Sequence, residues 1–229
     1  MRTAVLIPSR NDRPDFLANC LRMMQAQTLQ PYHIEIVDDK ALSNEKDITW
    51  RYRIGYDRLR NKGFDVIALI ENDDWYSPNY LEYMVQQWID AGKPVLFGTD
   101  YTIYYHLKEK AYFTMNHDDR ASAMNTLIRP DFYFNWCKDN DPYTDIHLWH
   151  HAGTTQKIIH PDKHYSIGMK HGIGLCGGRN HIDKLDRFKN KDTNSSFLHK
   201  HIVEIANDID SFNFYSNFIQ QCQRWKYRY

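Results

Sequence analysis

The stretch "DVIALIENDDWYSPNYLE", residues 65–82, decides the fold. Val66-Ile67-Ala68-Leu69-Ile70 is a continuous apolar run, bounded by Gly63 before it and polar residues after it. A run of that length suits a strand buried on both faces, as in a parallel sheet covered by helices. It stops at Glu71-Asn72-Asp73-Asp74, three carboxylates in four positions. Pro78 then opens "PNYLEYMVQQWIDAG", whose Leu81, Met84, Val85, Trp88 and Ile89 line one helical face up to Gly92.

The same alternation runs outward in both directions. "TAVLIP" at 3–8, "HIEIVDD" at 33–39 and "PVLFG" at 94–98 read as further strands. "RPDFLANCLRMMQAQ" at 13–27 and the stretch from 44 to 62 read as helices between them. Strands alternating with helices predict right-handed βαβ units around a mainly parallel sheet. After Asp100 the pattern changes. "DYTIYYH", "KAYFTM" and "ASAMNTLI" predict a small antiparallel meander. Helical signals return at "RPDFYFNWC", "YTDIHLWHHA" and, as one long helix, "HIVEIANDIDSFNFYSNFIQQCQ". The expected organisation is one domain over 1–229, with a half at 1–100 and a mixed half with C-terminal helices at 101–229.

Bulk composition narrows the function classes. The 229 residues carry 29 basic and 29 acidic side chains, so no global field recruits nucleic acid or an anionic membrane. Local basic-aromatic stretches remain, in "KLDRFKNK" and "RWKYRY". Cys20, Cys137, Cys176 and Cys222 form no C-x-x-C pair and predict free thiols in a reducing compartment. No run of about 18 apolar residues is present, and the expectation is a cytoplasmic protein without a membrane span.

In a parallel sheet, ligands bind at the carboxyl ends of the strands. Three consecutive strands here end in polar groups: Pro8-Ser9-Arg10-Asn11, Asp38-Asp39 and Glu71-Asn72-Asp73-Asp74. In that order the set resembles the family two glycosyltransferases, which have the nucleotide-sugar-binding GT-A (Rossmann-like) fold. Glu71 stands where the family more often has Asp. The resemblance covers roughly residues 3 to 100 well and the rest loosely.

The resemblance implies a role for each matching residue. Pro8, Ser9 and Arg10 line the nucleotide pocket. Asp38 or Asp39 accepts a hydrogen bond from the base, typically uracil. Arg53 of "RYRIGYDRLRNKG" faces the nucleotide or diphosphate, although Ile54 replaces the family's Asn. Asp73 holds Mn²⁺ or Mg²⁺, with Asp74 supporting the ion and Glu71 and Asn72 near the donor. "DPYTDIHLWHHA" resembles the family's acidic step, with Thr144 in the place of Glu, and makes Asp145 the candidate base. His171, heading the Gly-rich "HGIGLCGG", is a candidate third metal ligand.

His147, His150 and His151 share a helical face at zinc-like spacing. The implied activity is inverting transfer of a hexosyl or pentosyl group from a nucleotide-sugar, UDP-linked, to an acceptor hydroxyl. Acceptors compatible with the sequence are a glycan, a protein or a hydroxylated base in DNA. The competing classes are a nucleotidyltransferase and a non-catalytic sugar- or nucleic-acid-binding module.

Overall fold

The structure is a computed structural model that describes residues 1–40, 46–151, 155–172 and 184–226, with 221–226 described by their backbone. Six strands form the main sheet: β1 (Thr3–Pro8), β2 (His33–Val37), β3 (Val66–Leu69), β5 (Leu96–Thr99), β8 (Thr126–Ile128) and β9 (Gln156–Ile159). Their order is β2-β1-β3-β8-β5-β9. β1 pairs in parallel with β2 and β3, and β5 in parallel with β9, while β8 runs antiparallel between β3 and β5.

Helix α1 (Pro14–Gln25) follows β1, α2 (Ile48–Leu59) follows β2, and α3 (Tyr80–Asp90) follows β3. Side-chain alternation divides the core. Val5, Ile7, Val66 and Ala68 face the layer with Cys20, Met24, Leu81 and Trp88 of α1 and α3. Ala4, Leu6, Ile67 and Leu69 face the layer with Tyr52, Tyr56 and Leu59 of α2. Cover on both sides is why these strands are apolar throughout. The same packing brings α2 against the sheet at Gly55, where a Cβ would lie 2.1 Å from Leu6 Cδ1.

A second sheet has the order β11-β7-β6-β10-β4, from β4 (Trp75–Tyr76), β6 (Tyr101–His106), β7 (Ala111–Asn116), β10 (Ser166–Lys170) and β11 (Asn190–Lys191). The predicted meander is therefore half realised. β6 and β7 form an antiparallel hairpin, but the third segment leaves it and enters the main sheet as β8. Leu127 and Ile128, apolar at successive positions, need cover on both faces, which a surface meander lacks.

Two helical expectations change. Residues 129–137 form no helix. Phe132 and Phe134 are buried while Tyr133 between them is 74% exposed, an alternation of period two. Tyr56 Oη lies 3.2, 2.9 and 2.6 Å from the carbonyls of Arg129, Pro130 and Phe132 and braces this irregular strand-like run. The short α4 (Thr144–Trp149) follows it. The long C-terminal helix is divided. Helix α5 (Ser196–His199) passes into a π-helical stretch, Lys200–Ile205, and α6 (Ile209–Lys226) starts afresh. Asn207 takes φ +55°, and Asp208 Oδ1 caps the new helix by accepting the Ser211 N–H at 3.1 Å. Among the described residues no helix is long and apolar enough to cross a membrane.

Candidate active site

The carboxyl ends of β1 and β3, the start of α2 and the second sheet enclose a cavity of about 310 Å³. Of the residues singled out from the sequence, Pro8, Ser9, Arg10, Glu71, Asn72, Asp73, Asp145 and His171 line it. The acidic turn that ends β3 is braced from several sides. The Glu71 N–H donates to the Tyr76 hydroxyl at 2.8 Å, and the Trp75 indole N–H donates to Asp208 at 3.1 Å. Asn72 Nδ2 reaches Ser9 Oγ at 3.3 Å, tying the β3 end to the β1 end.

Asp73 meets two cationic-type side chains at one oxygen. Arg13, at the start of α1, donates to its Oδ2 at 2.5 Å, and His171 Nε2 stands 2.8 Å from the same oxygen. Burial alone would raise the Asp73 carboxyl, but Arg13 and His171 outweigh it and hold it well below the usual range. Burial also lowers the His171 imidazole, against the pull of Asp73. Burial pushes Glu71 up, and Lys170 opposes the shift.

Asp74 does not line the cavity. It is fully buried, and its Oδ1 accepts the Met169 N–H at 2.7 Å with Lys170 Nζ at 3.9 Å. Burial and the neighbouring carboxylates hold it well above its ordinary value. Its Oδ2 has no hydrogen-bond partner among the described residues. Carboxylate oxygens of Glu71, Asp73 and Asp74 lie within 4.8 Å of one another. Three hard oxygen donors, one of them orphaned, fit a divalent cation such as Mg²⁺ or Mn²⁺.

Asp145, which lines the same cavity, sits in the first turn of α4 with its side chain 18% exposed. Arg120 pairs with it, and burial still keeps its carboxyl above the ordinary aspartate value. The preceding Thr144 hydroxyl meets that of Thr49 on α2, which fixes how α4 enters the site.

Besides Asp74, three sequence candidates stand outside the cavity wall. Arg53 forms a two-pronged pair with Asp139 at 2.9–3.1 Å, on the exposed side of α2. Asp39 is drawn to Arg58 at 2.8 Å, and exposed Asp38 meets the distant amide of Asn11 at 3.5 Å. The cavity instead takes Arg51, two positions from Arg53 and on the buried face of α2. Arg51 is 1% exposed, donates to the Val37 carbonyl at 2.8 Å and pairs with Asp47 at 2.9 Å. Asp47 in turn holds Arg10 at 3.0 Å.

Sequence reading also passed over Arg13, Arg120 and Lys170. Arg51 could have been found, because an Arg that shares a helical face with Tyr52, Gly55, Tyr56 and Leu59 is placed toward the core. The three histidines of α4 separate: His147 pairs with Asp141, His150 with Asp119, and His151 packs on Phe132 and Phe134. Lys184, Arg187 and Phe188 of the basic-aromatic stretch reach the cavity. Gly174, Gly177, Gly178 and Cys176 of the Gly-rich run lie outside the described residues, as do the side chains of Cys222 and "RWKYRY".

A sheet with mainly parallel strands, opening at their carboxyl ends into an acid-rimmed cavity, is the architecture of the GT-A glycosyltransferases. One solved structure shares that fold. Staphylococcus aureus TarS 1–349 in complex with UDP-GlcNAc superposes with a TM-score of 0.52 at 10% identity, over 88% of this chain and 73% of TarS. Another TarS 1–349 crystal structure gives a TM-score of 0.46 at 14% identity, over 74% of this chain and 61% of TarS. In sequence, the Bacillus subtilis (strain 168) protein described as "Putative glycosyltransferase EpsH" is 29% identical over 89 residues. That match spans 31% of this chain and only 26% of EpsH. No family model matches the chain.

Proposed function

We propose that the chain is a glycosyltransferase that moves a sugar from a nucleotide-sugar, UDP-linked, to an acceptor hydroxyl with inversion. One observation carries this reading: Asp145 and the Glu71–Asp73 turn line one cavity, which opens at the carboxyl ends of β1 and β3. An inverting transfer needs both in one cavity, a place for the leaving diphosphate and a base for the acceptor hydroxyl.

Pro8, Ser9, Arg10 and Arg51 form the nucleotide end of the cavity. Arg13 and Lys170, beside the acidic turn, offer positive charge to the diphosphate as well as to the carboxylates. Glu71 and Asp73, with the orphaned oxygen of Asp74 behind them, would hold Mn²⁺ or Mg²⁺. Such an ion, when bound, neutralises charge that develops on the leaving diphosphate. Asp145 removes the acceptor proton as the hydroxyl attacks. Arg120 keeps that carboxyl oriented and favours its ionised form. Tyr104, Phe113 and Phe188 make an aromatic wall on the acceptor side, suited to stacking against a sugar ring.

The test is release of UDP from a panel of UDP-sugars with Mn²⁺, monitored alongside thermal shift with each donor. A transferase hydrolyses its donor slowly without an acceptor. A nucleotidyltransferase or a binding module releases no UDP, and that result overturns the reading. The acceptor class then follows from transfer assays on glycans, proteins and hydroxymethylated DNA.

A further inference from the structure

A second cluster of ligand-type side chains lies outside the acidic turn. Cys137, Asp141 and His147 come from three points of one segment, and their Sγ, carboxylate O and ring N all lie within 4.8 Å of one another. Sulfur, oxygen and nitrogen are the donors zinc prefers. Bonds of about 2.0–2.3 Å around tetrahedral zinc put ligand atoms roughly 3.3–3.8 Å apart. The cluster therefore needs only small side-chain adjustments to close on an ion.

The local structure already aims two of the three groups. Asp141 Oδ1 accepts the Tyr143 N–H at 2.8 Å, which fixes the carboxylate and turns Oδ2 toward His147 Nε2 at 3.0 Å. Cys137 is a free thiol, half-buried, with Thr49 Oγ1 3.6 Å from its sulfur. The same Thr49 hydroxyl donates to the Asp141 carbonyl at 2.6 Å, so one residue of α2 gathers both ends of the loop. The spacing, three residues between Cys137 and Asp141 and five between Asp141 and His147, closes a compact loop.

We propose that Cys137, Asp141 and His147 form a zinc site, with water in the fourth position, that clamps the 129–143 run onto α4. The position gives the site its consequence. Asp141 and His147 bracket Pro142, Tyr143, Thr144 and Asp145, all of which line the cavity. An ion bound there fixes the wall that carries Asp145. It is a separate site from the Glu71–Asp73–Asp74 cluster, which has only hard oxygen donors. Binding displaces the Cys137 thiol proton to solvent, so affinity rises with pH.

The experiment uses the full chain, freed of metal by chelator, and titrates it with Zn²⁺ and with Co²⁺. One equivalent of Zn²⁺ is expected to bind and to raise Tm. Co²⁺ is expected to produce the near-ultraviolet thiolate-to-cobalt charge-transfer band, which carboxylates alone cannot give. Cys137→Ser should remove that band. His147→Ala, at an exposed position that tolerates truncation, should weaken Zn²⁺ binding by at least the roughly 10–100-fold that losing a hydrogen-bond partner of a ligand costs. A wild-type protein with no thiolate band overturns the proposal. So does a band that persists in Cys137→Ser, or Zn²⁺ affinity unchanged in His147→Ala. None of these readouts depends on sugar transfer.

Discussion

Arg13 Nη1 lies 2.5 Å from Asp73 Oδ2, so the acidic turn that ends β3 is held by a cation from the helix that follows β1. His171 Nε2 stands 2.7 Å from the same guanidinium nitrogen and 2.8 Å from the same carboxylate oxygen. A single ring nitrogen can donate to Asp73 or accept from Arg13, and it cannot do both. The three groups thus share one point at the cavity wall with one contact in excess. A divalent ion at Asp73 would relieve that excess by taking the carboxylate and freeing Arg13 for a phosphate.

Asp73→Asn tests this. The amide keeps the shape but loses the charge that both Arg13 and a hard cation require. UDP binding, measured by calorimetry with and without Mn²⁺, should lose its metal dependence in the variant. Equal enhancement by Mn²⁺ in both proteins would refute a role for Asp73 in holding the ion.

Asp145→Asn should lower turnover by about 10²–10⁴-fold, the usual contribution of a general base, with donor affinity nearly unchanged. Only the carboxylate form can take a proton, so activity should climb with pH through the folded-state pKa of Asp145. That pKa is raised by burial, so the acid limb should lie above the position of an ordinary aspartate. Arg120 pulls it down, so Arg120→Ala should move the limb further up. Turnover of Asp145→Asn within a few-fold of wild type would refute its role as the base.

Much of this site was legible in the sequence because strand ends announce themselves. The apolar run of β3 has to stop where the chain leaves the sheet, and Glu71 to Asp73 mark that point. Arg51 and Arg53 show a signal that the motif match obscured. Both lie on one helix, and the apolar face that Arg51 shares with Gly55 and Leu59 places it toward the core while Arg53 turns outward. The 129–137 run was misread as helical on aromatic content, although Phe132, Phe134 and Trp136 recur at period two. Arg120 and Lys170 meet their carboxylates from other elements, and no local pattern encodes such pairings.

Arg51→Met should destabilise the fold. The guanidinium is almost fully buried against Asp47 and the Val37 carbonyl. Removing one partner of a buried ion pair leaves the other uncompensated and typically costs about 3–5 kcal/mol. Arg10 still reaches Asp47, which places the expectation at the low end of that range. Urea unfolding should show a lower midpoint with an unchanged slope. An unchanged midpoint would mean that the pair contributes nothing net.

Two buried histidines predict how stability responds to acid. His106 and His117 are 2% and 4% exposed, and burial depresses each imidazole from its usual range to about 4. His106 Nδ1 accepts the Glu109 N–H at 3.3 Å, and His117 Nε2 stands 3.2 Å from Thr102 Oγ1. The remaining nitrogen of each has no hydrogen-bond partner among the described residues, and burial outweighs the pull of Glu109 on His106 and of Asp100, Asp118 and Asp119 on His117. The folded protein keeps both rings neutral down to about pH 4, whereas the unfolded chain protonates them near its ordinary value of about 6.5. Their stabilising contribution is complete above about pH 6.5 and declines as the pH falls from there toward about 4. Ordinary carboxylates titrate mostly below that window, and the other shifted groups, raised Glu71, Asp74 and Asp145 and lowered His164, His171 and His201, are common to wild type and variant, so the comparison of the two between about pH 7 and about pH 5 isolates His106 and His117. Wild type should lose Tm progressively over this interval, and His106→Gln/His117→Gln should lose distinctly less. The same slope in the double variant would show that other groups set the acid sensitivity.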